Sequence, residues 1–135
     1  MQTDKEITIE ELKKECWEFV KTRNWEKFQT LRNLAISLSL ESNDLLKYFQ
    51  WMSEQELEDF EGREEDKHTY ALKLIDILSY ILIAFEKMDI DLSTVFAEKM
   101  QKNKAKYQDT TFNKNKDLSW EDDNQIYNKI KFDKP

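Results

Sequence analysis

One glycine, Gly62, and one proline, Pro135, are all the helix breakers that this 135-residue chain contains. Glycine and proline are the strongest local punctuators of structure, so a chain this poor in both is driven toward long helices. Apolar residues recur at three- and four-residue steps rather than in strict alternation, which is the signature of helices with one buried face. The expected fold class is all-α: a bundle of four to five helices over residues 1–107, followed by a polar C-terminal tail over residues 108–135. At this length the chain makes one ordinary domain.

Capping signals divide the helical region. Thr8 with Glu11 forms a capping box and predicts a helix to about Arg23, with Leu12, Cys16, Phe19 and Val20 inward. Asn24 is the expected cap of a longer second helix, from Trp25 to about Met52, carrying Phe28, Leu31, Ala35, Leu38, Leu45 and Phe49 on one side. Ser53 with Glu56 opens a short acidic helix through Phe60, and Gly62 is the expected break after it. The third long helix, Arg63 to Met88, is apolar almost all round from Leu74 to Phe85, which predicts a central, buried position. Asp91 or Ser93 caps a last helix to about Tyr107. From Gln108 onward the chain is polar, with Phe112, Trp120, Ile126, Tyr127, Ile130 and Phe132 as anchors against the bundle or a partner subunit.

Composition also removes whole classes of chemistry. With a single glycine, no Gly-rich phosphate loop can be written. One histidine, His68, and one cysteine, Cys16, cannot build a His- or Cys-rich zinc site within the chain. A net charge of −7 is the wrong sign for a general nucleic-acid surface. The N-terminal residues are charged where a signal peptide needs an apolar stretch. The most apolar run, Leu74 to Phe85, is shorter than the roughly 20 residues of a spanning helix. A soluble, cytoplasmic protein with neither a nucleic-acid nor a membrane partner is expected.

Two segments carry the chemistry, Glu41-x-x-Asp44 and Lys73-x-x-Asp76. Residues three apart share a helix face, so each pair can point toward one place between packed helices. Asp76 lies inside LIDILSYILIAF, where an unpaired charge costs several kcal/mol. It therefore needs a cation, a donor or a metal. A salt bridge to a neighbouring lysine and a metal or ligand site both satisfy that need, and Glu41 after LAISLSL poses the same choice.

The words RNWEKFQTLRNL, LESNDLLKYFQW, LIDILSYIL and KMQKNKAKY, in this order and spacing, resemble the MazG-like all-α nucleotide pyrophosphohydrolases, in particular the dCTP pyrophosphatase branch. The resemblance implies a helical bundle acting as a homodimer or homotetramer with sites at subunit contacts. It implies Mg²⁺-dependent cleavage of a nucleoside triphosphate to the monophosphate and pyrophosphate. The family's carboxylate motif falls on Glu41, Asp44, Lys73 and Asp76. Trp25 and Trp51 match residues lining the base pocket, and Tyr80 matches a tyrosine near the substrate. Lys99, Asn103 and Tyr107 match residues that reach phosphates or ribose; Arg32 and Asn33 match as well.

Departures from the pattern define the expectation for activity. Lys73 stands where the family has Glu, Asp44 is a shortened Glu, and Lys47 replaces a further Glu one helical step on. Gln29 and Leu31 replace His and Pro. Glu41, Asp44 and Asp76 are left as catalytic and metal-binding candidates, and an ammonium group cannot ligate Mg²⁺. The expected cofactor is Mg²⁺ if the site is active and none if the lysines have closed it. The expected function is a nucleoside triphosphate pyrophosphohydrolase homologue with weak or lost hydrolysis. The alternative is a non-catalytic nucleotide-binding or oligomerisation protein.

Overall fold

The computed structural model describes residues 3–109 and 119–132, and among them the regular structure is entirely helical, with no strand. Six α-helices follow in order: α1 Ile9–Lys21, α2 Leu31–Phe49, α3 Glu54–Gly62, α4 Glu64–Met88, α5 Leu92–Lys106 and α6 Trp120–Phe132, with a 3₁₀ turn at Glu26–Phe28 between α1 and α2. The chain divides into two compact units, Met1–Ile90 and Asp91–Pro135. Each is described by itself.

In the first unit α4 is the shared element, packed against α1, α2 and α3. Its core is small: Val20 of α1, Leu34 of α2 and Ile83 of α4 are buried together, with Cys16, Trp17, Tyr80 and Ala84 packed around them. Lys13 is buried as well and reaches from α1 to Glu86 on α4, Nζ to Oε2 at 3.3 Å. At the other end, Tyr48, Phe49, Phe60 and Tyr70 form a ring cluster with centroids 5.7–6.5 Å apart, joining α2, α3 and α4. Edge-on ring pairs of this kind add to the stabilisation from buried area alone.

The capping boxes at Thr8–Glu11 and Ser53–Glu56 form as their sequences require, and Asp91 caps α5 by accepting from the Thr94 N–H. Three expectations change. The second helix starts at Leu31 under a Thr30 cap, not at Trp25 under Asn24. Asn24 takes a positive φ of 55° instead, a conformation Asn tolerates better than most residues, so it turns the chain out of α1. Trp25 to Gln29 then cross between helices as the 3₁₀ turn. The break after α3 falls on Arg63, whose extended backbone ends one helix and opens the next; Gly62 stays helical. Third, α4 is not sheathed by the described residues. Leu82 and Ile83 are buried, whereas Leu72, Leu74, Ile75 and Leu78 are each more than a third exposed: α1, α2 and α3 pack on α4, and its apolar side chains run round the whole helix.

By length and composition α4 is also apolar enough to cross a membrane, which the shorter run from Leu74 to Phe85 did not reveal. A helix at the centre of a bundle passes the same test, and three helices of this unit pack on α4.

In the second unit α6 is a helix where only a polar tail was expected. It meets the end of α5 through a stacked pair, Tyr107 and Tyr127, with ring centroids 5.5 Å apart and planes 18° apart. The Lys106 ammonium also donates to the Lys131 carbonyl at 3.2 Å. Phe112 lies outside the described residues.

Candidate functional site

The two i, i+3 segments converge. Glu41 projects from the middle of α2 and Asp76 from the middle of α4, and Lys73, one turn before Asp76, stands between them. Its Nζ is 3.9 Å from Glu41 Oε2 and 3.6 Å from Asp76 Oδ2. Glu41 Oε2 is buried and accepts no hydrogen bond among the described residues, so the nearby ammonium is what offsets its charge. Asp76 is not the buried carboxylate that its apolar surroundings suggested: its side chain is 52% exposed, because the flanking apolar residues of α4 are themselves uncovered.

Asp44, one turn beyond Glu41, is bound to Lys47 at 2.5 Å. The Lys47 ammonium holds the Asp44 carboxyl below its ordinary range, and the carboxylate raises Lys47 in return. Lys73 adds to the first effect by its charge at longer range. Lys73 thus bridges Glu41 on α2 and Asp76 on α4, with the Asp44–Lys47 pair beside it on α2, and a hollow of about 260 Å³ lies among Asp44, Lys47, Tyr48 and Lys73.

Glu41 and Asp76 also face a larger cavity of about 750 Å³ between α1 and α4. Trp25 and Tyr80 line it, together with Phe19, Gln29, Ile75 and Ser79. Trp25 packs edge-on against Phe19, with ring centroids 6.0 Å apart, which fixes its face. Cys16 lines the same wall; burial pushes its thiol upward, partly countered by a hydrogen bond with Ser79. That is the setting of an inert thiol. Sequence reasoning put Cys16 on an inward face but assigned neither Cys16 nor Ser79 to the site, since contacts across helices decide that. Ser79 does sit one turn beyond Asp76, and that spacing was the available signal.

The other expected residues lie apart from this cavity or in the second unit. Trp51, just past α2, is 87% exposed, and Arg32 in the first turn of α2 is exposed. Asn33 acts locally. Its N–H donates to Thr30 and its side-chain amide to the Phe28 carbonyl, pinning the 3₁₀ turn to the start of α2. Lys99 and Asn103 are on α5, and Tyr107 ends it against Tyr127.

Among the described residues no three Asp, Glu, His or Cys side chains gather closely enough to hold a metal ion. Mg²⁺ demands near-octahedral oxygens at roughly 2.0–2.1 Å, and here an ammonium nitrogen, that of Lys73, lies within 4 Å of an oxygen of both Glu41 and Asp76.

No family model matches the chain. Rat dCTP pyrophosphatase 1 is 29% identical over 102 residues, which are 76% of this chain and 60% of the relative. The human enzyme of the same name is 28% identical over the same lengths. The chain therefore spans about 60% of the length of these relatives. Among solved structures, a pyrophosphatase from Archaeoglobus fulgidus superposes with a TM-score of 0.64 at 35% identity, covering 74% of this chain and 92% of that one. Helical architecture, the convergence of α2 and α4, and this last match together place the chain in the MazG-like, dCTP pyrophosphatase-like family of all-α pyrophosphohydrolases.

Proposed function

We propose that this chain binds a nucleoside triphosphate as a pyrophosphohydrolase homologue, and that conversion of a (d)NTP, dCTP-like in its base, to (d)NMP and pyrophosphate is weak or lost. Lys73 carries this reading. Breaking the bond between the α-phosphorus and its bridging oxygen needs a water aimed at phosphorus and positive charge on the departing pyrophosphate. The carboxylates that would orient the water are each tied to a lysine: Glu41 and Asp76 to Lys73, Asp44 to Lys47. The lysines offer charge to phosphate oxygens as point cations and leave binding intact while catalysis suffers.

In this reading Trp25 presents a ring face to the base, Tyr80 borders the sugar and Gln29 replaces the family's histidine beside it. Lys99, Asn103 and Tyr107 are assigned to phosphates and ribose on the strength of the family resemblance. Assembly as a homodimer or homotetramer would bring Arg32 and Trp51, which do not line the cavity, to a neighbouring copy's site. The protein is soluble and cytoplasmic on this reading. A second reading, a non-catalytic oligomerisation protein that binds nucleotide without turnover, is favoured by the uncovered apolar side chains on α2 and α4.

Pyrophosphate release from a dNTP panel with Mg²⁺ or Mn²⁺ tests the proposal, with calorimetric nucleotide binding measured in parallel. Wild type should bind a nucleotide and turn over far below about 1 s⁻¹, and the Lys47→Glu, Lys73→Glu double variant should gain turnover. Wild-type rates at or above that level overturn the weak-hydrolysis reading. Absence of any nucleotide binding overturns the nucleotide assignment.

A further inference from the structure

We propose that Lys73 is a tethered counter-ion that takes the place of a divalent cation between α2 and α4, so that the charge at residue 73 sets how tightly this seam binds a metal. The proposal deepens the functional reading by taking the same cavity as the site, but it concerns the nucleotide-free protein.

Three observations converge on it. First, the Lys73 ammonium lies within 4 Å of one oxygen from each helix, Glu41 Oε2 and Asp76 Oδ2. A cation bridging two carboxylates from different helices would need that same space. Second, Glu41 Oε2 is buried without a hydrogen bond among the described residues. Such an oxygen is costly unless a positive charge is near, and Lys73 is the cation nearest to it in these ion pairs. Third, the remaining acid of the group, Asp44, is held by Lys47 on its own helix, so it does not complete a three-carboxylate cluster.

The sign of the consequence follows from charge. A divalent ion entering beside the Lys73 ammonium meets like-charge repulsion and finds two carboxylates where several oxygens are wanted. Lys73→Glu removes that repulsion and adds a third carboxylate one turn from Asp76, a change of two charge units at one position. Lys73→Gln removes the repulsion and adds a neutral carbonyl, a weaker donor. The ordering expected for divalent-cation affinity is therefore Lys73→Glu above Lys73→Gln above wild type.

The test is Mn²⁺ titration of the nucleotide-free proteins, followed by the loss of the free-ion electron paramagnetic resonance signal, with circular dichroism to verify folding. Wild type should leave the Mn²⁺ signal as it is in buffer, and Lys73→Glu should bind about tenfold or more tightly than wild type. Wild type binding Mn²⁺ as tightly as Lys73→Glu overturns the proposal, because the carboxylates then reach the ion past the lysine. Equal failure of folded wild type and folded Lys73→Glu also overturns it, because the carboxylates then do not converge. Should Lys73→Glu not fold in the absence of metal, Lys73→Gln decides: a gain over wild type supports the proposal and no gain overturns it. A nucleotide assay that fails while this ordering holds would count against the functional reading and leave the counter-ion role standing.

Discussion

At the scale of single residues, the least expected feature is Lys13, a lysine 7% exposed in a chain whose other charged groups are mostly wet. Its ammonium is 3.3 Å from Glu86 on α4 and 3.6 Å from Glu10 on its own helix, so it ties α1 to the central helix. Removing one partner of such a pair strands the other, and that costs more than replacing the buried charge with an apolar group. Glu86→Gln, which keeps the shape and removes the charge, should lower stability by about 1–2 kcal/mol, discounted because Glu86 is itself a quarter exposed. Lys13→Met keeps the buried stem and should cost less. Urea unfolding of the two variants checks the order, and Lys13→Met emerging as the more damaging change would show that the ion pair is not what joins the helices. The sequence flagged Asp76 as the buried charge instead, because an aspartate among leucines and isoleucines stands out, whereas Lys13 sits among Lys, Glu and Leu and looks like any solvated helix face. Burial across helices is decided by which faces meet, and a single helix's residues do not carry that.

At the scale of the helix, local chemistry was legible and position between helices was not. The capping boxes at Thr8 and Ser53 were readable because both partners lie three residues apart. The start of α2 was misjudged because Asn24 and Thr30 are both good caps, and the choice between them rests on the turn from Trp25 to Gln29, which crosses between α1 and α2. Thr30 therefore supports the helix that carries Glu41. Thr30→Ala should destabilise by about 1 kcal/mol, seen as a lower urea midpoint with an unchanged slope. The boxes also give an acid dependence. Glu11 and Glu56 accept hydrogen bonds from the backbone and side chains of Thr8 and Ser53, which lower both carboxyls from the ordinary 4.5. A group lowered on folding stabilises above its unfolded value, and that contribution is lost as pH falls through the lowered one. The thermal midpoint should thus drop on acidification through about pH 5 to about pH 3, and in Glu11→Gln, Glu56→Gln, which removes the two titrating carboxyls, that acid limb should flatten. An unchanged limb in the double variant would move the acid sensitivity to the ion pairs at Asp44 and Glu10.

At the scale of the whole molecule, the first unit leaves large apolar side chains of α2 and α4 uncovered among the described residues. Its buried hydrophobic side chains are Val20, Leu34, Phe60, Leu82 and Ile83, whereas Ile36 and Leu40 on α2 and Leu72 and Ile75 on α4 are more than half exposed. Contiguous apolar side chains on a surface mark an interaction face. The faces concerned belong to α2 and α4, the two helices that carry Glu41, Asp44, Lys73 and Asp76, so association and the candidate site are properties of the same pair. A second copy of the chain is the proposed cover, since α2 of one copy offers another copy the same kind of apolar side chains that it needs to bury. Association that buries a core links stability to concentration. The thermal midpoint of wild type should therefore rise with protein concentration, and sedimentation should give a dimer or tetramer. Leu40→Glu, Ile75→Glu should shift the population to a smaller, less stable species whose midpoint no longer moves with concentration. A wild type that sediments as a monomer with a concentration-independent midpoint would mean that these side chains are tolerated in water, and that the site between α2 and α4 is complete within one chain.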